Sequence, residues 1–200
     1  MRYADSMNTL MPTPIPSRPP QSVPAPASGR MLLLISPSST LPALFEMVAR
    51  LAQQNSLFIL DGGNTFQGYT LSAVLRRQRI DINDALRRVT LSRAFTCYQV
   101  AALLDEHHFT SGEPVLVLDF LSTFYDQGVY TADRCRLLKG CIRRLQLLSR
   151  SAPVAVWVRQ RAVVPEEGLS FLESLQRAAG QVWTPARPPV LPIMRQPALF

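Results

Sequence analysis

Five short runs of apolar residues punctuate the middle of the chain: Leu32 to Ile35, Leu57 to Asp61, Val89 to Ser92, Val115 to Asp119 and Val154 to Val158. Four of them are apolar at every position before their last residue, and continuous apolar runs of this length predict strands covered on both faces. The stretches between them have helical spacing instead. Leu41, Leu44, Phe45, Val48 and Leu51 fall on one helix face, and Val100, Leu103 and Leu104 on another. A third helix is predicted from about Ala132 to Ser149, with Leu138, Cys141, Leu145 and Leu148 on one side and Arg136, Lys139, Arg143 and Arg150 close to the opposite one. Strands alternating with helices predict an α/β domain with a mostly parallel sheet and helices on both faces. In such sheets ligands meet the carboxyl ends of the strands, so the segments 36–40, 62–66, 93–96, 120–130 and 159–164 are expected to share a functional edge.

Proline marks where the domain stops. Of 17 prolines, seven lie in residues 12–26 and five in 185–197. The chain therefore divides into a Pro-rich arm at 1–29, a domain at 30–184 and a Pro-rich tail at 185–200. The two ends carry too few large apolar groups to offset the entropy of ordering and are expected to be disordered. No continuous apolar stretch precedes a small-residue cleavage site, and no run reaches the ~20 residues that span a bilayer. A soluble, cytoplasmic chain with no membrane contact is expected. Cys97, Cys135 and Cys141 lack metal-ligand spacing and read as free thiols of a reducing compartment. His107 and His108 close a helical stretch, where a cation complements the helix dipole. Of the 21 basic residues only Lys139 is lysine, and the net charge is +7. Arginine suits phosphate forks and base stacking, so polyanionic partners come into view.

The apolar run ending in Asp61 and followed by Gly62, Gly63 and Asn64, the Arg93-Ala94-Phe95 strand exit with Gln99 four residues beyond the Phe, and the second run ending in Asp119 resemble the core of the RecA/RadA recombinase superfamily over residues 30–184. The resemblance implies a RecA-like sheet. It also shows what is missing. A phosphate-binding loop of that family needs glycines whose N–H groups approach the phosphates, a Lys, and a hydroxyl on magnesium. Here the loop reads SPSSTLPAL, with neither glycine nor lysine. Ser36, Ser38, Ser39 and Thr40 stand in that degenerate loop, and Ser38 to Thr40 are expected to cap the next helix with Pro42 in its first turn. The position resembling the family's water-orienting Glu is Gly63. Asp119 resembles the Asp of the second nucleotide motif, left without the Lys and Glu it would work with. A pseudo-ATPase with no catalytic residues and no cofactor is expected.

In the recombinases the region resembling FLSTFYDQGVYTADR is a loop that meets single-stranded DNA. Aromatics beside cations provide stacking and phosphate neutralisation, so Tyr125, Tyr130, Arg134, Arg136, Lys139 and Arg143 are the DNA-contact candidates. Gln160, between Arg159 and Arg161, matches the family's nucleotide-sensing Gln by position, and the loop after it is short and acidic. The last five residues, QPALF, match the Q-x-x-L-F peptide by which bacterial repair factors dock in the sliding clamp: Leu199 and Phe200 would fill an apolar pocket and Gln196 would anchor the backbone. The chain is most similar to small accessory proteins of DNA repair of the ImuA and SulA type. This implies a non-catalytic, nucleoid-associated adaptor of the DNA damage response and translesion synthesis, connecting a translesion polymerase, a RecA-type recombinase or single-stranded DNA to the clamp. The alternatives are an active RecA-family ATPase or recombinase paralogue, and a SulA-like regulator of another protein.

Overall fold

The computed structural model of the protein describes residues 22–185. Its strands are β1 (Met31–Ser36), β2 (Leu57–Asp61), β3 (Val89–Arg93), β4 (Val115–Leu118), β5 (Val154–Arg159) and β6 (Gln181–Trp183). Its helices are α1 (Leu41–Gln54), α2 (Gly68–Arg77), α3 (Ile82–Arg87), α4 (Cys97–Glu106), α5 (Thr131–Ser149) and α6 (Glu166–Ala178). The strands form one sheet in the order β3-β2-β4-β5-β1-β6, and every pairing is parallel. The five strands expected from the apolar runs are all present. β6 is an addition at the edge beside β1.

Strand alternation divides the core in two. Leu33, Phe58, Val117 and Val156 point toward α4, α5 and α6, while Leu34, Ile59, Leu116 and Trp157 point toward α1, α2 and α3. Each central strand is apolar on both sides because each side is covered. The face that a helix covers follows from the direction of its crossover. Connections leading toward β3 lay α1 to α3 on one face, and those returning toward β6 lay α4 to α6 on the other, as a uniform crossover hand requires. Leu44, Phe45 and Val48 of the α1 stripe are buried, and so are Val100 and Leu104 of α4 and Leu138, Cys141 and Leu145 of α5. The packing also takes in Val23, which is buried in the α1 to α3 core ahead of residue 30.

Cys97 and Cys141 are buried and Cys135 half-buried, all three as free thiols. Burial pushes the Cys141 thiol up to about 12, so it stays protonated and unreactive. His107 follows α4 and does more than face its dipole: its ring stacks on Phe58 with centroids 4.0 Å apart, and Nε2 lies 3.6 Å from the buried Glu113. Among the described residues no helix is long and apolar enough to cross a membrane. Most of the arm at 1–29, the tail beyond 185, and with it Gln196, Leu199 and Phe200, lie outside the described residues.

Candidate functional site

The connections that leave the carboxyl ends of β2 and β4 diverge to opposite faces of the sheet, which opens a crevice between them. A cleft of about 460 Å³ lies there, lined by Gly62, Gly63, Asn64, Phe95, Ser122, Thr123, Tyr125, Asp126 and Arg161. Four of the five segments expected to share this edge meet in it.

Two buried carboxylates, Asp61 and Asp119, stand at the ends of the strands whose exits line the cleft. Asp61 ends β2 and gathers the next five residues around itself: Oδ1 accepts from Thr65 N at 3.0 Å, Thr65 Oγ1 at 3.2 Å and Gly63 N at 3.3 Å, and Oδ2 accepts from Phe66 N at 2.8 Å. Arg93, leaving the neighbouring strand, places Nε 3.8 Å from Oδ2. Asp61 is thus spent on holding the DGGNTF turn. Asp119 ends the β4 run in a left-handed conformation, φ 47° and ψ 48°, which Asp tolerates better than most residues. Its Oδ1 accepts from Arg159 N at 3.4 Å, and Arg159 Nη2 lies 2.9 Å from Oδ2. That second contact lacks hydrogen-bond geometry, so it is Coulombic in character. Arg161 Nη2 stands further off, at 3.8 Å from the same oxygen.

Burial raises the Asp119 pKa, and the two arginines only partly oppose it. A carboxyl whose folded pKa lies above its unfolded value binds its proton more tightly in the native state, so its ionisation costs stability. The cost sets in as pH rises above the ordinary 3.8 and is complete above the raised folded value. Asp119→Asn, which keeps the acceptor oxygen, is therefore expected to be at least as stable as the parent at pH 7, and the difference should vanish in acid. Urea unfolding at several pH values checks this. A variant less stable than the parent at pH 7 would mean that the Arg159 pair outweighs burial.

Asp119 closes the space beside Gly63. A Cβ built on Gly63 would lie 2.5 Å from Asp119 Cβ and 2.8 Å from Cγ, so no side chain fits there without moving that carboxylate. Asn64 beside it is also left-handed, at φ 52°.

The loop after β1 is closed by a chain of hydrogen bonds. Trp157 Nε1 donates to Ser36 Oγ at 2.9 Å, Ser36 and Thr40 hydroxyls are 2.6 Å apart, and Thr40 Oγ1 donates to the Pro37 carbonyl at 2.7 Å. Only one proton order satisfies all three: indole N–H to Ser36, Ser36 O–H to Thr40, Thr40 O–H to Pro37. This corrects the expected cap. Ser38 to Thr40 form a single 3-10 turn, and none of their side chains caps α1, because the Thr40 hydroxyl turns back toward Pro37. Pro42 does occupy the first turn of α1.

The DNA-contact candidates separate into two groups. Tyr130 is 84% exposed at the start of α5, and Arg136, Lys139 and Arg143 lie exposed along that helix. Arg134 is not on that surface, because it is only 4% exposed. It donates to the Phe124 carbonyl at 3.2 Å, to Thr131 Oγ1 at 2.9 Å and to Glu167 Oε2 at 2.7 Å, and its guanidinium lies over the Phe171 ring. Tyr125 is half-buried, with the Arg161 guanidinium 5.0 Å from its ring centre and its ring edge against Gly168 of α6. Its ring is already engaged. The exposed aromatics at this edge are instead Phe95, Tyr98 and Tyr130, with Tyr69 at the start of α2. The sequence carries a sign for Phe95: it follows a strand exit, and its N–H donates to Gln99 Oε1 at 2.7 Å, which fixes the turn that presents it. Gln160 is exposed, and its N–H donates to the Ser36 carbonyl, continuing the β1–β5 pairing by one residue. Among the described residues no cluster of three or more His, Cys, Asp or Glu side chains could hold a metal ion.

Compared with known proteins, the sequence matches no family model, and no curated protein is significantly similar to it.

Proposed function

We propose that the chain is a RecA-like scaffold that has given up nucleotide turnover and works as a DNA-repair accessory, joining single-stranded DNA, a translesion polymerase or a RecA-type recombinase to the sliding clamp. The observation that carries this reading is the closed loop after β1. In a working nucleotide site that loop would offer free donors and a lysine to phosphates, whereas here the Trp157, Ser36 and Thr40 donors satisfy one another and Pro37. Gly63 supplies no side chain to orient water, and Asp119 leaves no room for one there. The remaining surface features serve binding: exposed aromatics at the carboxyl edge, and the Arg136, Lys139 and Arg143 face along α5 for a polyanion. The C-terminal QPALF supplies the clamp contact through Gln196, Leu199 and Phe200.

The test uses the full chain. Titration with magnesium–ATP should give no binding heat and no phosphate release, while immobilised bacterial sliding clamp should capture the protein with roughly micromolar affinity, about 8 kcal/mol at 1 μM. The combined change Gln196→Ala, Leu199→Ala and Phe200→Ala should abolish capture and leave thermal unfolding unchanged. Turnover that disappears in Asp119→Ala would return the protein to the ATPases. Equal capture of parent and triple variant would remove the clamp from the proposal.

A further inference from the structure

The two edges of the sheet are protected very differently. β6 is three residues long and runs into Pro185, so it offers little to a further strand. β3 is five residues long, VTLSR, contains no proline, and pairs only with β2. Its register fixes which groups remain open. The Leu57 N–H bonds the Arg88 carbonyl, and the Ala94 N–H bonds the Asp61 carbonyl. A parallel ladder uses alternate residues, so Arg88, Thr90, Ser92 and Ala94 turn their backbone groups toward β2. Val89, Leu91 and Arg93 turn theirs outward. Among the described residues these outward groups have no hydrogen-bond partner. Leu91 on this strand and Leu86 on the adjoining α3 also expose their side chains.

The charge around this edge selects what can approach it. Residues 76–93 hold six arginines and two aspartates. Arg77 pairs with Glu46, Arg88 with Asp84, and Arg93 with Asp61. Arg76, Arg79 and Arg87 are exposed and have no carboxylate partner among the described residues. Charges used merely to keep strands apart would sit on the strand itself, whereas β3 before its last residue is uncharged and the unpaired arginines lie in the α2–α3 segment that leads into it.

We propose that the β3 edge is a docking site for an acidic, extended segment of another protein, which adds to the sheet as a further strand through Val89, Leu91 and Arg93 and sets its carboxylates against Arg76, Arg79 and Arg87. Charge excludes the nearer alternatives. Two copies meeting edge to edge would bring like arginine clusters together. The chain's own ends are also unsuitable: residues 1–21 hold Arg2, Arg18 and only Asp5, residues 186–200 hold Arg187, Arg195 and no acidic side chain, and both are interrupted by prolines that cannot donate to a ladder.

The probe is a fluorescently labelled, strand-length peptide alternating β-branched residues with glutamate, titrated into the full chain and followed by anisotropy and amide hydrogen exchange. Saturable binding is expected, with exchange slowed at the Leu91 and Arg93 amides and unchanged at Thr90 and Ser92, which are already paired. Leu91→Pro removes one outward donor at an edge that tolerates proline and should abolish binding. The triple change Arg76→Glu, Arg79→Glu and Arg87→Glu leaves the strand intact, keeps the test alive if the proline variant unfolds, and should weaken binding by about tenfold or more. Absence of saturable binding to the parent, or equal binding of the same peptide with lysine in place of glutamate, overturns the proposal. It is also overturned by an oligothymidylate that needs the three arginines while the acidic peptide fails to bind, which would make this corner a nucleic-acid surface, or by a dimer that Leu91→Pro dissociates, which would assign the edge to a second copy.

Discussion

Gly63→Glu, which places a carboxylate where the proposed RecA-like reading would seat a water-orienting residue, is expected to destabilise the protein by about 4 kcal/mol and to confer no ATP turnover. The first Cβ already falls within 2.5 Å of Asp119 Cβ, and Asp119 has nowhere to go: it is buried at the end of β4, left-handed, and bound to the Arg159 N–H. Pushing it aside separates it from Arg159 and leaves a buried charge without its partner. For a domain of this size the loss corresponds to a fall in thermal midpoint of roughly 10 °C. Gly63→Ala should show most of the same loss, since the clash begins at Cβ. The cause can be isolated, because Asp119→Gly removes the atoms that are struck, Cβ included, at a left-handed position that glycine adopts freely. In a double-mutant cycle Gly63→Ala should cost far less in the Asp119→Gly background than in the parent. If Gly63→Ala melts with the parent, the turn has room that its geometry denies, and closure of the site by Asp119 is wrong.

The parallel sheet was readable because burial on both faces leaves a signal that needs no partner to interpret: LFILD, VLVL and VAVWV are apolar at every position before their ends. β6 left no such signal. QVW is three residues long and half-exposed, and it pairs with β1 only because the chain returns beside that strand after α6. The hydrogen-bonded loop after β1 was half visible. Missing glycine and lysine show that the loop lacks phosphate-binding equipment, but the hydroxyls could equally have capped α1. What turns them inward is Trp157, 121 residues away in the sequence and one strand away in space.

The basic face shows a different limit. Arg134 precedes Leu138, Cys141 and Leu145 by four, seven and eleven residues, so helical spacing puts it on the buried stripe, not with Arg136, Lys139 and Arg143. The periodicity held that information, and residue type overrode it. Tyr125 is different, since nothing local announces that Gly168 and Arg161 will close around its ring.

Arg134 and its neighbours on the same helix should therefore respond in opposite ways to mutation. Arg134→Ala is expected to cost about 3 kcal/mol, while the combined change Arg136→Glu, Lys139→Glu and Arg143→Glu should shift stability by less than about 1 kcal/mol. Most of the Arg134 loss is not the ion pair. Glu167 is 46% exposed and regains water once its partner is gone, so the attraction itself contributes little. The Phe124 carbonyl loses its donor, and the space over Phe171 empties. The contributions can be separated: Glu167→Gln, which keeps an acceptor for the guanidinium, should cost under about 1 kcal/mol, and Arg134→Met, which refills the volume without the donors, should fall between Glu167→Gln and Arg134→Ala. Chemical denaturation of the four variants checks the order. A Glu167→Gln loss as large as that of Arg134→Ala would mean that the ion pair supplies most of the stabilisation, and a stable Arg134→Ala would mean that its buried contacts contribute nothing.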